Sequence, residues 1–172
     1  MEVNNILIIG ILSILVMILV SIFFRHRIHK LKEYGYLGIF LLCLIGNINV
    51  FSPASFTASV IGGRFYNPLI VGFIAALGSI FGEFLAYNIG AVGQLAIKDK
   101  EWFEPLHENM EKHGFFTILF VTAIPNPIFN IAAGGSGALN YPLGKFLIAS
   151  FLGNWLQYTI LATVGNFSNN II

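Results

Sequence analysis

Apolar residues run along this chain in segments of two different lengths. Three segments hold about 20 or more residues with few charges, the length that crosses the core of a bilayer: 5–24, 68–97 and 142–164. Four other segments are too short to cross: 35–48, 54–63, 114–124 and 128–139. The pattern therefore predicts three spanning helices and two pairs of shorter helices.

Each pair of short segments is divided by a proline break. The breaks are Ser52-Pro53 in the first pair and Pro125-Asn126-Pro127 in the second. Ser and Asn are good N-cap residues, and proline is tolerated at the first helical position, where its missing N–H would have no helical partner. We therefore expect each pair to form a re-entrant hairpin, which enters the membrane, turns at the break and returns to the same side.

The two halves of the chain resemble each other at one constant offset in the sequence. The matched positions are Pro53 and Pro127, Gly63 and Gly137, Pro68 and Pro142, and Glu83 and Gln157. Each half consists of one hairpin that returns and one helix that crosses, so the second half begins on the opposite side of the membrane. The sequence predicts an all-α integral membrane protein with two inverted repeats, an architecture shared with many secondary transporters.

These elements divide the chain into two parts. Residues 1–33 form an N-terminal transmembrane helix and a basic juxtamembrane segment, and we interpret the helix as uncleaved because a signal peptide has a basic start. Residues 34–172 form the membrane domain, with repeat 1 over 34–97, an interfacial helix over 98–113 and repeat 2 over 114–167. The interfacial helix is predicted from Trp102, Leu106 and Met110 on one face and glutamates on the rest.

Composition agrees with a membrane protein. Hydrophobic residues make up 56% of the chain and charged residues 10%. An average soluble domain has about 25% charged residues, and so few charged side chains as here cannot cover a water-facing surface. The net charge of +1 provides no basic surface for nucleic acid, so we expect no nucleic-acid partner.

The sequence contains no recognisable set of catalytic residues. The histidines lie in interfacial stretches, the single cysteine, Cys43, lies inside an apolar run, and no metal-ligand spacing occurs. We expect a protein that is not an enzyme and that uses no cofactor and no metal. Its expected partners are membrane lipids with anionic headgroups or lipid phosphates, because the positive ends of the broken helices suit an anion.

Polar residues in or beside the apolar segments are candidates for a transport path: Glu83, Asn126, Asn130, Asn154 and Gln157. Glu83 is the only acid inside a long apolar segment, and an ionisable residue in a membrane is costly and points to function. The alternative for Glu83 is a structural hydrogen bond to a hairpin. Asn126 also fits a helix cap, and the other amides also fit hydrogen bonds between helices.

Two motifs resemble a known family. Gly82-Glu83, with Tyr87 four residues later, resembles the Gly-Glu-x-x-x-Tyr element of the DedA-like, or VTT-domain, membrane proteins of the SNARE-associated Golgi protein family. Residues 125–130, Pro-Asn-Pro-Ile-Phe-Asn, are similar to the Pro-Asn-Pro-Leu/Ile-Phe-Asp element of the subgroup similar to vacuole membrane protein. The resemblance covers residues 34–165. It implies two re-entrant hairpins in inverted repeat and adds Tyr87 to the candidate path.

The resemblance also implies lipid transport, which is phospholipid scrambling in eukaryotic members and recycling of undecaprenyl phosphate in bacterial ones. This chain departs from the family pattern, because Asn130 stands where the motif has aspartate and neither hairpin break carries the charges of many bacterial members. The lost charges favour passive translocation. The leading hypothesis is a phospholipid scramblase or lipid-phosphate flippase that works through a groove between the two hairpins.

Two alternatives stay open. One is a proton- or ion-coupled transporter of a small solute that uses Glu83, and the other is a membrane scaffold that transports nothing. We expect a bacterial or archaeal plasma membrane because the chain is compact. The sequence does not determine the lipid or solute, the coupling, the direction, the membrane orientation, the source organism or whether the protein is a homo-oligomer.

Overall fold

The computed structural model describes residues 28–48, 54–94, 103–124 and 129–169. These residues form six α-helices and no β-strand: α1 (Ile28–Ile48), α2 (Ala54–Phe65), α3 (Pro68–Gly93), α4 (Phe103–Ala123), α5 (Phe129–Ala138) and α6 (Leu143–Asn169). The all-α prediction is confirmed for this part of the chain. The predicted span over 5–24 and the hairpin breaks, with Ser52, Pro53, Pro125 and Pro127, lie outside the described residues.

Two of the described helices are long and apolar enough to cross a membrane, Pro68–Gly93 and Leu143–Ser168. A helix of 26 residues, the length of α3, extends about 39 Å, which exceeds a hydrocarbon core of about 30 Å. The start of α3 follows from its sequence, because the Asn67 side chain accepts a hydrogen bond from Leu69 N at 3.0 Å and Pro68 occupies the first turn.

Helices α1 and α2 form an antiparallel hairpin. At one end a Cβ atom placed on Gly46 would lie 2.9 Å from Ser55 Oγ, and at the other end the rings of Tyr36 and Tyr66 are 4.8 Å apart. Helix α1 bends at Gly35, where φ is 54° and ψ is −139°. Glycine adopts a positive φ without the steric penalty of a side chain. The bend turns the arm beginning at Tyr36 alongside α2.

One predicted boundary differs from the structure. The sequence predicts an interfacial helix to residue 113 and a separate membrane segment from Gly114, whereas α4 runs without a break from Phe103 to Ala123. A Cβ atom on Gly114 would lie 2.6 Å from Tyr141 Cε2, so this glycine allows an aromatic ring to approach. Glycine inside a helix costs only about 1 kcal/mol relative to alanine, which packing readily offsets.

The turn between α5 and α6 is a Schellman motif built on Asn140. Asn140 has a φ of 56°. Its N–H donates to Gly137 O and the N–H of Tyr141 donates to Ser136 O, both at 2.9 Å. These two bonds satisfy carbonyl groups at the end of α5 that have no partner within the helix.

We expect Asn140→Gly to keep or slightly raise the melting temperature of the detergent-solubilised protein. Asn140→Val is expected to lower the stability by about 1–2 kcal/mol, because a left-handed backbone forces Cβ against the next carbonyl oxygen. Thermal unfolding followed by circular dichroism measures both variants. Equal melting temperatures for the two variants would contradict the role of the positive φ.

The short arm of each half packs on the long helix of the other half. A Cβ atom on Gly63 of α2 would overlap the backbone carbonyl of Ala162 in α6, and one on Gly137 of α5 would overlap that of Tyr87 in α3. Gly63 and Gly137 are matched positions of the repeat. Their partners, Ala162 and Tyr87, match each other when the offset between the two long helices is one residue larger than the offset that matches the prolines. Reciprocal contacts of this kind are what a two-fold relation between the halves produces.

A second pair of contacts is reciprocal in the same way. Gly165 contacts the Val60 carbonyl and Gly90 contacts the Gly134 carbonyl, and in the repeat Val60 matches Gly134 and Gly90 matches Gly165. The antiparallel course of α3 and α6 is shown by the contacts of Gly72 with Thr159 and of Glu83 with Asn154, because the later residue of α3 meets the earlier residue of α6. Large apolar side chains cover the outside of the bundle, among them Ile89 and Val92 at 74% exposure. An apolar exterior with paired backbone inside suits a lipid environment.

Candidate functional site

Polar side chains are buried where the two long helices meet. We name six of them the central polar cluster: Asn47 of α1, Ser55 of α2, Ser79 and Glu83 of α3, and Asn154 and Tyr158 of α6. Each is at most 3% exposed. Buried polar groups outside regular backbone pairing are expensive, so a cluster of them inside an apolar bundle calls for a specific explanation.

Two hydrogen bonds join α3 to α6 inside the cluster. Ser79 Oγ donates to Tyr158 Oη at 2.9 Å, and Asn154 Nδ2 donates to Glu83 Oε1 at 2.6 Å. Ser79 and Glu83 lie four residues apart in α3, as do Asn154 and Tyr158 in α6, so each pair lies on one helix face. Because the helices are antiparallel, the four side chains meet crosswise.

These two bonds are equivalent under the repeat. Asn154 follows Ser79 by as many residues as Tyr158 follows Glu83, so Ser79 matches Asn154 and Glu83 matches Tyr158. The bond between Ser79 and Tyr158 therefore corresponds to the bond between Asn154 and Glu83. The four side chains that form these two bonds therefore occupy matching positions in the two halves of the sequence.

Asn47 attaches the first hairpin to this centre. Its Nδ2 lies 2.7 Å from Ser79 Oγ and from Ser55 Oγ and 2.9 Å from Cys43 O, and these three acceptors share its two N–H donors. A Cβ atom on Gly82 would lie 2.5 Å from the carbonyl carbon of Asn47, so only glycine permits this approach. The C-terminal end of α1 is thereby held against α3.

Glu83 is fully buried and only half satisfied. Its Oε1 accepts from Asn154, and the Ser150 hydroxyl also adjoins the carboxyl group. Neither Glu83 Oε2 nor Ser150 Oγ has a hydrogen-bond partner of normal geometry among the described residues. An acidic group inside a membrane bundle with an unused oxygen is a candidate for binding a polar group in transit.

The structure describes the side chains of two other predicted path residues, Gln157 and Tyr87. Gln157 is 3% exposed and lies in α6 beside Tyr158. The Tyr87 hydroxyl donates to the backbone carbonyl of Tyr141 and so ties α3 to the turn between α5 and α6, away from the cluster bonds. Asn126 and the side chain of Asn130 lie outside the described residues. Glu83 and Asn154, both predicted from the sequence, are in direct contact.

Sequence reasoning missed four members of the cluster: Asn47, Ser55, Ser79 and Tyr158. Asn47 had one detectable signal, since it is an amide inside a short apolar segment. Ser79 and Tyr158 had none, because serine and tyrosine are common in membrane helices and their partner is decided by the pairing of α3 with α6. In the part of the chain that the structure describes, no three His, Cys, Asp or Glu side chains group as metal ligands.

A family model, the VTT domain, matches residues 52–167. The matched region holds five of the six cluster residues, all of α3 and all but the last two residues of α6. The chain belongs to the VTT-domain family of membrane proteins. The predicted family is confirmed, and the closer resemblance to vacuole membrane protein stays a prediction.

One relative of this VTT-domain protein is an uncharacterized protein of Methanocaldococcus jannaschii. The two are 24% identical over 148 residues, which cover 83% of this chain and 91% of the relative. No solved structure matches this chain significantly. The similarity therefore extends over nearly the whole length of an archaeal protein.

Proposed function

We propose that this protein moves lipids across the membrane and that the central polar cluster lies on the path of the headgroup. The observation that carries the proposal is the bond between Glu83 and Asn154, two buried side chains that meet between the long antiparallel helices at 2.6 Å. Polar and ionisable groups at such positions are costly to keep in a membrane and mark pathways for substrates or ions.

The helix geometry supports a path between two hairpins. Helix α2 has 12 residues and extends about 18 Å, too short for a hydrocarbon core of about 30 Å. We propose that both hairpins are re-entrant and that they enter from opposite sides, because α3 and α6 are antiparallel. In inverted repeats of this kind the substrate site lies near the midplane, at the interface of the repeats.

In this arrangement the headgroup passes the cluster while the acyl chains stay in the bilayer. Groups that donate and accept hydrogen bonds replace part of the water that the headgroup leaves behind. Scrambling of phospholipids and flipping of a lipid phosphate both use this geometry. We expect membrane lipids as the partners and a bacterial or archaeal plasma membrane as the location, which the archaeal relative supports.

A dithionite assay in liposomes tests passive translocation. A fluorescent phospholipid is placed in both leaflets, and the impermeant reductant bleaches only what reaches the outer leaflet. We expect bleaching well beyond half of the signal without ATP or an ion gradient. Bleaching that stops at the level of protein-free liposomes would contradict scrambling, and a fluorescent polyprenyl phosphate would then test the flippase form of the proposal.

A coupled transporter of a small solute is the second candidate function. It is favoured by the unused Glu83 Oε2 beside the unused Ser150 Oγ, because a proton or a small cation fits between two such oxygens. In liposomes this function predicts a flux that changes with pH in the parent and no longer does so in Glu83→Gln. A protein that moves neither lipids nor ions would be a scaffold.

A further inference from the structure

A polar pocket opens at one end of the helix bundle, where α2 ends, α3 begins and α6 ends; we call this the Arg64 end. The pocket has a volume of about 340 Å³ and is lined by Arg64, Phe65, Tyr66, Asn67, Pro68 and Asn166. Arg64 Nη2 donates to Ser168 Oγ at 3.0 Å. Arg64 is the charged side chain among these lining residues, and a guanidinium group suits the oxygens of a phosphate.

An apolar groove continues from this pocket along α3 and α6. It has a volume of about 170 Å³ and is lined by Leu69, Leu152, Trp155, Leu156 and Thr159. Trp155 Nε1 donates to the backbone carbonyl of Leu69 at 3.2 Å, which fixes the indole in the wall of the groove. Leu69, Leu152 and Leu156 are exposed to the lipid side of the bundle.

The pocket and the groove are adjacent on both helices. On α3 they are lined by consecutive residues, Pro68 and Leu69. On α6 the pocket residue Asn166 follows the groove residue Thr159 by seven positions, which places both on the same helix face. A polar site that contains a cation thus adjoins an apolar one, as an amphiphile requires.

We propose that the pocket and the groove together bind one anionic phospholipid from the leaflet at the Arg64 end. Its phosphate contacts Arg64 and Asn166, and one acyl chain lies in the groove against Trp155. The site requires a membrane location but not translocation, so it goes beyond the proposed function.

Arg64 also stabilises the end of α2 and its packing on α6. Arg64 lies in the last turn of α2, where a cation offsets the negative end of the helix dipole. Its bond to Ser168 also joins α2 to the end of α6. Ser168→Ala removes this bond and keeps the charge, whereas Arg64→Gln removes the charge, so the two variants separate packing from headgroup binding.

Tryptophan quenching by brominated lipids tests the site. The chain has two tryptophans, so a Trp102→Phe background reports on Trp155 alone. The protein is placed in phosphatidylcholine vesicles that contain an equal small fraction of either dibromo-phosphatidylglycerol or dibromo-phosphatidylcholine. We expect Trp155 to select the anionic lipid about fivefold, the preference that one cationic side chain near the surface provides.

The variants are expected to differ in their preference for the anionic lipid. Arg64→Gln is expected to remove the preference, while Ser168→Ala and Lys145→Gln, a charge removal at the other end of the bundle, are expected to keep it. Equal quenching by the two lipids in the parent, no quenching of Trp155 by either, or a preference that persists in Arg64→Gln would overturn the proposal. Because quenching reports equilibrium occupancy, its result is independent of whether the liposome assay detects translocation.

Discussion

Gly137→Ala is expected to prevent the normal packing of α5 on α3, whereas Gly135→Ala in the same helix is expected to leave the fold intact. A Cβ atom on Gly137 would overlap the backbone carbonyl of Tyr87, and a backbone atom cannot move aside as a flexible side chain can. A Cβ atom on Gly135 would meet no atom within 4 Å. The two substitutions make the same chemical change two residues apart.

The expected loss for Gly137→Ala is about 3 kcal/mol or more, since overpacking a close contact costs about 1–3 kcal/mol and here helix separation adds to it. Gly135→Ala is expected to gain up to about 1 kcal/mol from helix propensity. Melting temperature and the fraction of monodisperse protein in detergent measure both effects. Similar values for the two variants would show that the close contact of α5 with α3 is not formed.

The repeat extends this prediction to the first half. Gly63→Ala brings a Cβ atom onto the backbone carbonyl of Ala162, as Gly137→Ala does with Tyr87. We therefore expect losses of similar size for the two variants, with Gly144→Ala as an open control, because no atom lies within 4 Å of its Cβ position. A large loss for only one of the two would contradict the equivalence of the halves.

The ends of several helices could be predicted from the sequence because local chemistry determines them. Asn67-Pro68 is a cap followed by a proline, and α3 begins there. The short arm predicted over 54–63 appears as Ala54–Phe65. Local chemistry does not decide the role of Gly114, which lies inside the continuous helix α4. Only packing against Tyr141 shows that this glycine is a contact point.

The central polar cluster could be predicted only in part. Glu83 and Asn154 stood out because a carboxyl group and an amide are rare and costly in apolar helices. Their direct contact depends on the antiparallel crossing of α3 with α6, which periodicity does not provide. The repeat contains this information, but the alignment that matches the prolines pairs Glu83 with Gln157, one position before its structural counterpart Tyr158.

Glu83→Gln is expected to slow lipid translocation about tenfold or more while the protein stays folded, with an increase of about 1.4 kcal/mol in the barrier for each factor of ten. Glutamine has nearly the shape of glutamate and still presents an oxygen to Asn154 Nδ2, so the bond between α3 and α6 is kept. The substitution replaces Oε2, the carboxyl oxygen without a hydrogen-bond partner among the described residues, by an amide NH2 group, which donates and does not accept.

Tyr158→Phe is the matched control, because it breaks the bond to Ser79 that is equivalent to the Glu83–Asn154 bond under the repeat. It removes a link between α3 and α6 and leaves the carboxyl group in place. We expect a stability loss of about 0.6–1.7 kcal/mol, the range for a hydrogen bond between membrane helices. Its translocation rate is expected to fall by clearly less than the factor of about ten expected for Glu83→Gln, because the carboxyl group on the proposed path is kept.

The dithionite assay on the two variants distinguishes a cluster that contacts the lipid headgroup from one that only holds α3 and α6 together. If the cluster only holds the helices together, Tyr158→Phe should lower the translocation rate more than Glu83→Gln. Tyr158→Phe breaks a hydrogen bond between α3 and α6, whereas Glu83→Gln keeps one. If the headgroup contacts the carboxyl group, the order reverses. A translocation rate that falls in Tyr158→Phe and is unchanged in Glu83→Gln would therefore assign the cluster to the scaffold of the protein, and would place the lipid path elsewhere in the fold.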